Sequence, residues 1–260
     1  MDLGLRGKAA LVTGGSRGLG RAIALELGRE GCRVCLCARG KEVLEEAAAE
    51  VRALGVEALA VVADVTTEAG VRGAVDAALA TFGQIDVLVN NVGGSTGGSF
   101  LETAVEDWQR AIDLNLLPAV RASRLVVPHM RARGGGAIVN VASIYGREWG
   151  GAYARRPTYI AAKAAEIGMS KALAMELAPY GIRVNSVAPG SIEFPGGGWE
   201  RRRREDPEGI AAFVKADMPL GRFGRAEEVG RVVAFLASDA ASLVLGVCLN
   251  VDGGQSRSLI

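Results

Sequence analysis

What most constrains this chain is an alternation running from end to end, in which short apolar stretches of strand length take turns with longer stretches of helical periodicity. "KAALVTG" leads into a helix expected from about Gly18 to Glu30. "RVCLCA" leads into "KEVLEEAAAEVRAL", "ALAVVAD" into a helix ending near Phe82, and "IDVLVN" into a helical region from about Val105 to Arg133. "GAIVNVAS", a helix over "TYIAAKAAEIGMSKALAMELA", "IRVNSVAPG", a helix from about Ala226 to Leu236 and "GVCLNVDGG" complete the series. Strands that are apolar throughout, alternating with helices, imply a parallel sheet covered on both faces. The expected fold class is therefore α/β, a doubly wound parallel sheet of about seven strands with helices on both faces.

No repeat, linker or shift in composition divides the chain, so residues 1–260 are expected to form one domain. One stretch interrupts the pattern: 191–217, "SIEFPGGGWERRRREDPEGIAAFVKAD". Its glycine triplet and the run Arg201 to Arg204 are poor core and strand material, so it reads as a mobile excursion lying over the sheet as a lid. Phe194, Trp199 and Phe213 in it offer apolar contacts to a substrate, while the arginine run, followed at once by Glu205, Asp206 and Glu208, reads as facing water.

Thirty basic and 29 acidic residues leave a net charge of +1, so no global field recruits nucleic acid or an anionic membrane surface. No apolar run approaches the roughly 20 residues of a membrane span, and "MDLGLRGKAALVTGG" lacks the build of a signal peptide. A cytoplasmic protein is the expectation. Cys32, Cys35 and Cys37 read C-x-x-C-x-C, but "CRVCLCA" is strand-like, and neither a second cysteine pair nor a nearby histidine completes a tetrahedral site. They are expected as buried fillers, with no metal. The single histidine, His129, has no partner in sequence and is expected at a helix end.

The first strand runs into "TGGSRGLG", residues 13–20, with Gly14, Ser16, Arg17, Gly18, Leu19 and Gly20 between strand and helix. Such a turn lets backbone N–H groups approach a pyrophosphate, and the helix N-terminus adds partial positive charge. About 20 residues beyond such a turn, an acidic residue takes the ribose hydroxyls of NAD, whereas an arginine accommodates the 2′-phosphate of NADP. Arg39 stands there, and no acidic residue occurs from Gly31 to Lys41. With Arg17 across the turn, the expected cofactor is NADP(H). Later strand ends carry Asp64 and Val65, Asn91 and Gly93 in "NNVGG", and Pro189, Gly190 and Ile192 in "APGSI". All are expected at the carboxyl edge of the sheet, outlining one crevice.

The segment "SIYGREWGGAYARRPTYIAAK", 143–163, holds three tyrosines, but only Tyr159 has a lysine four residues on, Lys163, on the same helical face. A phenol is too weak a base near neutrality, and a neighbouring ammonium favours the phenolate. Tyr159 with Lys163 can thus exchange a proton with an alcohol or carbonyl, and Ser143, at a strand end, can hydrogen-bond the same oxygen. A serine hydrolase is disfavoured, because Ser143 lacks a G-x-S-x-G turn and a triad partner. Thr103 and Glu106 suggest a capping box, Pro118 a bend beside Asn115, and Thr158 a helix start. Asn115 at such a bend could hold a water next to Lys163.

Together "TGGSRGLG", "NNVG", Asn115, Ser143, "YIAAK" and "APG" resemble the short-chain dehydrogenase/reductase family nearly end to end. The resemblance implies a Rossmann-type sheet, hydride transfer between a nicotinamide and a small carbonyl or alcohol substrate, and a tetrad of Asn115, Ser143, Tyr159 and Lys163. It implies too that Tyr159 is the acid/base, that Lys163 also binds the nicotinamide ribose, and that the protein is a homotetramer. The chain also resembles 3-oxoacyl-carrier-protein reductase-like members, a subordinate reading in which Arg131, Arg133 and Lys171 form a basic landing patch for an acidic carrier. Two departures stand out: Val92 where the family has alanine, and extra residues in "REWGGAYARR", expected to form a loop at the pocket rim.

Overall fold

The computed structural model describes residues 2–95, 97–149 and 156–259. The first half alternates strictly: β1 (Ala9–Thr13), α1 (Gly18–Arg29), β2 (Arg33–Ala38), α2 (Lys41–Arg52), β3 (Ala58–Val62), α3 (Glu68–Phe82) and β4 (Val87–Asn90). The second half continues with α4 (Val105–Asn115), α5 (Leu117–Ala132), β5 (Gly136–Val141), α6 (Pro157–Leu177) and β6 (Ile182–Pro189). There follow β7 (Ile192–Glu193), α7 (Gly198–Glu205), α8 (Pro207–Asp217), β8 (Gly224–Arg225), α9 (Ala226–Ala237) and β9 (Cys248–Val251).

Seven strands form one parallel sheet in the order β3-β2-β1-β4-β5-β6-β9, while β7 and β8 pair separately. The order reverses between β1 and β4, and ligands of open α/β sheets bind beyond the carboxyl ends at such a reversal.

The strand period of two explains the two cores. Ala10, Val12, Val34 and Leu36 point to one face and bury Ile23, Leu27, Leu44 and Val233 of α1, α2 and α9. Ala9, Leu11, Cys35 and Cys37 point to the other, against Val75 of α3, Val126 and Met130 of α5 and Ala174 of α6. Burial pushes the Cys37 thiol up to about 12, so it is an inert filler near neutral pH. Among the described residues, no helix is long and apolar enough to cross a membrane.

Several local expectations are corrected. The single helix from Val105 to Arg133 is two helices, interrupted at Leu116. Pro118, second residue of α5, lacks the N–H to continue α4's ladder, so the chain breaks rather than bends. The capping pair is not Thr103 with Glu106. A 3-10 turn over Phe100–Glu102 displaces the helix start, the Asp107 carboxylate accepts from Ala104 N at 2.8 Å, and Thr103 Oγ1 donates to Phe100 O. Thr158 lies one residue inside α6, whose first residue is Pro157.

The segment 191–217 is not poor core material. It folds into β7, α7 and α8, and Ile210, Phe213, Met218 and Phe223 form a small core of their own with Trp199 packed on it. Trp199 stacks on Phe213 at 5.0 Å between ring centroids. The rim loop expected over "REWGGAYARR", and Tyr153 with it, falls largely on 150–155, outside the described residues.

Candidate active site

The glycine turn is shaped for close backbone approach. Gly14 and Gly18 have φ of +67° and +55°, in the left-handed region where a side chain is strained. A Cβ on Gly20 would stand 2.1 Å from Gly14 O, so α1 can pass behind the turn only with glycine there. Arg17 precedes α1 without any side-chain cap, leaving the helix's first N–H groups available to an anion. Asn91 fastens the turn: its Nδ2 donates to Thr13 O at 3.0 Å and its N to Thr13 Oγ1 at 2.9 Å. Asn91 thus joins the end of β4 to the end of β1.

The turn opens into a cleft of about 580 Å³. Its walls include Gly14, Ser16, Arg17, Gly18, Leu19, Arg39, Asp64, Val65, Val92, Gly93, Tyr159 and Lys163. Thr66, which donates to Asp64 Oδ1 at 2.7 Å, and Arg39 nearby hold the Asp64 carboxyl below its usual range. An uncapped helix end and a turn that excludes Cβ atoms fit a dinucleotide, and Arg17 and Arg39 both line the cleft. Phe194 lines this cleft rather than the substrate side.

Three residues expected there sit elsewhere. Ile192 is buried in the core that α1 and α9 cover. Pro189 ends β6 in register with Val251. Gly190 lines a second, smaller pocket.

That second pocket, about 190 Å³, is bounded by Ser95, Ser143, Ile144, Tyr145, Arg156, Tyr159, Ile160, Gly190, Ser191, Trp199 and Arg202. Among the described residues, only Tyr159 lines both spaces. Ser143 follows β5 and caps a 3-10 turn, its Oγ accepting from Tyr145 N at 3.2 Å, which leaves the hydroxyl proton to donate elsewhere. Burial pushes the Tyr145 phenol up, against the opposing pull of Arg202.

Lys163, one turn after Tyr159, is 3% exposed. Its Nζ donates to Val141 O at 2.8 Å and to Glu166 Oε2 at 2.7 Å. An ammonium has three N–H groups, so one remains for the cleft that Lys163 lines. Burial opposes the ammonium, but Glu166 and Tyr159 beside it outweigh that and hold Lys163 above its ordinary value. Burial raises the Glu166 carboxyl, with Lys163 pulling the other way.

Glu166 was not foreseen from the sequence, and it is 1% exposed. A polar ladder secures its helix to the sheet: Asn90 Nδ2 donates to Asn140 Oδ1 at 2.8 Å, Asn140 Nδ2 to Ser170 Oγ at 2.8 Å, and Ser170 Oγ to Glu166 O at 2.7 Å. That ladder sets the height of Lys163 above the strand ends.

Asn115, also 1% exposed, is held on three sides by its side-chain hydrogen bonds. Its Oδ1 accepts from Gly94 N at 2.8 Å, and its Nδ2 donates to Gly94 O at 3.0 Å and Ala111 O at 2.9 Å. A Cβ on Gly93 would fall 2.8 Å from Asn115 Oδ1 and 3.1 Å from Lys163 Nζ, so the loop after β4 passes between these side chains only as glycine. Of the basic patch, Arg131 lies over the Tyr180 ring at 4.2 Å and Arg133 stands 3.8 Å from Asp86.

The chain is similar to known proteins over nearly its whole length. A family described as enoyl-(acyl carrier protein) reductase matches residues 14–256. The 3-oxoacyl-[acyl-carrier-protein] reductase of Thermotoga maritima is 38% identical over 253 residues, 96% of this chain and 98% of that one. L-sorbose reductase from Gluconobacter frateurii, solved with NADPH and L-sorbose, superposes with a TM-score of 0.93 at 38% identity over 100% of both chains. An NAD+-bound xylitol dehydrogenase gives 0.88 at 35% identity, covering 96% of this chain and 99% of that one. The chain belongs to the short-chain dehydrogenase/reductase family, an oxidoreductase by class. Within that family it resembles the 3-oxoacyl-acyl-carrier-protein reductases.

Proposed function

We propose that this protein is an NADP(H)-dependent reductase that interconverts a ketone, or β-keto compound, and a secondary alcohol, working as a cytoplasmic homotetramer. The observation that carries the reading is Tyr159, whose side chain borders both the nucleotide cleft and the smaller pocket. NADP(H), when bound, supplies or accepts the hydride. Arg17 and Arg39 on the cleft wall suit its 2′-phosphate, and the α1 N-terminus its pyrophosphate. In the reductive direction the Tyr159 hydroxyl gives its proton to the carbonyl oxygen, and Ser143 donates a hydrogen bond to the same oxygen. Lys163, charged and fixed by Val141 and Glu166, stabilises the phenolate left behind and offers its third N–H to the ribose. Asn115 acts on the site through Gly94, holding the loop after β4 against Lys163.

Sequence kinship to a reductase and structural likeness to an NADPH complex support the cofactor choice. An NAD-linked alcohol dehydrogenase is the second reading, favoured by the likeness to the NAD+-bound enzyme. Exposed apolar side chains on α6 and β9, Met175 and Leu249, suit a subunit interface. Replacing Tyr159→Phe tests the mechanism: turnover falls by roughly 10²–10⁴-fold, the span of general acid–base catalysis, while NADPH binding, read by titration, persists. Undiminished turnover overturns it.

A further inference from the structure

The smaller pocket carries more hydroxyls than holding one carbonyl requires. Ser95, Ser143, Tyr145, Tyr159 and Ser191 all line it, brought together from the loop after β4, the turn after β5, α6 and the segment after β6. In the proposed reduction Ser143 and Tyr159 meet the carbonyl oxygen. Ser191, 5% exposed, has no part in that step.

The way Ser191 is held decides what it can offer. Its N donates to Gln255 Oε1 at 2.7 Å, and Gln255 Nε2 stands 3.0 Å from its Oγ. A backbone N–H can only donate, so the first bond fixes which end of the Gln255 amide is the oxygen; the amide nitrogen must then be the donor to the Ser191 hydroxyl. One lone pair of that hydroxyl is taken, and its proton and second lone pair are left on the pocket wall. Ser143 is in the same state, with its Oγ accepting from Tyr145 N. Gln255 is presented by a turn built on Asp252, whose O accepts from Gln255 N at 3.2 Å and whose carboxylate accepts from Gly254 N at 3.0 Å and Ser256 N at 2.8 Å. A Cβ on Gly190 would stand 2.7 Å from Gln255 Oε1, so the C-terminal segment reaches Ser191 only past a glycine.

We infer that Ser191, aligned by Gln255, is a second substrate-binding hydroxyl, and that the ketone reduced at Tyr159 carries hydroxyl groups of its own, as a small polyhydroxy ketone does. The inference rests on the reductase reading. A serine with both a proton and a lone pair to give matches a hydroxyl, which donates and accepts at one atom, whereas a second carbonyl or an ester oxygen only accepts. A hydrocarbon chain would strip water from these walls and return no hydrogen bonds, a penalty felt as discrimination. The volume of about 190 Å³ is that of about six waters, which limits the substrate to a short chain.

The test compares NADPH consumption for D-ribulose against 2-pentanone, the same carbon chain without hydroxyls, and for dihydroxyacetone against 3-pentanone, with methyls in place of hydroxyls. Methyl acetoacetate supplies a second oxygen that only accepts. The wild type should use the hydroxylated member of each pair at about tenfold or higher kcat/KM, chiefly through KM. Ser191→Ala should cut that ratio about fivefold, the loss of one hydrogen bond. Gln255→Leu should cut it in part, and the double variant should lose no more than Ser191→Ala alone, because Gln255 acts through Ser191. Losses that add would overturn the alignment by Gln255. Equal use of the paired ketones, a preference for methyl acetoacetate over both hydroxyketones, or a ratio unmoved by Ser191→Ala overturns the inference. Turnover of none of these compounds would count against the reductase reading, and ligand-observed NMR of D-ribulose and 2-pentanone with the NADP-loaded protein then judges the subsite by itself. D-ribulose binding that Ser191→Ala weakens would uphold it, and no difference between the two compounds would sink it.

Discussion

The nucleotide cleft and the substrate pocket meet at Tyr159, yet they are built of different material. The cleft is walled by the ends of β1, β2, β3 and β4, parallel strands whose positions are fixed by both cores. Its critical side chains are tied to the backbone of neighbouring elements: Asn91 to Thr13, Asn115 to Gly94, Lys163 to Val141. The pocket takes its walls from a 3-10 turn, the start of α6 and the short helix α7, which packs on a small satellite core. On the proposed reading, a rigid half holds the hydride partner and the proton donor, and a peripheral half that can vary without disturbing the sheet selects the substrate.

Perturbing the rigid half should cost both stability and chemistry. The largest effect is expected for Glu166→Leu, which strands the Lys163 ammonium in a site where it is 3% exposed. Breaking a buried pair from one side costs about 3–5 kcal/mol, read as a lower denaturant midpoint, and turnover falls with it. An unchanged midpoint would show that Glu166 is dispensable to the scaffold. Gly20→Ala comes next. The added methyl meets Gly14 O at 2.1 Å, so either the turn shifts or the helix does, at about 1–3 kcal/mol and with weaker NADPH binding.

Arg39→Asp probes the cleft's selectivity rather than its frame. Exchanging the guanidinium for a carboxylate should swing the NADPH/NADH preference in kcat/KM towards NADH by roughly 10–100-fold, one to two units of 1.4 kcal/mol. The smallest effect belongs to the periphery. Arg222 and the Arg225 N–H hold the Glu228 carboxyl down at about 2, from an ordinary 4.5. A depressed folded value stabilises above the ordinary one and is lost as pH falls through the folded one. A difference in thermal midpoint between wild type and Glu228→Gln should therefore be fully open above pH 4.5 and close towards pH 2.

The sheet, its order of elements and the face that Tyr159 and Lys163 share on α6 were legible because period-two and period-3.6 patterns are local signals. Tyr159 and Lys163 followed from helical spacing alone. Glu166 was overlooked although it stands three residues after Lys163 on a helix apolar nearly all round. An acid in such a helix must find a partner, and the lysine on its own face was the signal. The satellite core around Phe213 was hidden for a different reason. Phe213 and Phe223 meet Trp199 only through tertiary packing, and the surrounding glycines and arginines mask any period. The run Arg201 to Arg204 was expected to face water, but Arg202 is half-buried and lines the pocket, a difference that a run of identical letters cannot express.

The account stands most directly on carbonyl-dependent NADPH consumption, followed by nicotinamide absorbance with wild type and Tyr159→Phe side by side. It predicts that the wild type oxidises NADPH only when a suitable ketone is present, and that the Tyr159→Phe protein binds NADPH with similar affinity but consumes it at least about 100-fold more slowly. Tight NADPH binding with no consumption across ketones, aldehydes and acyl thioesters would contradict it, and would point to a protein that senses the cofactor instead of using it.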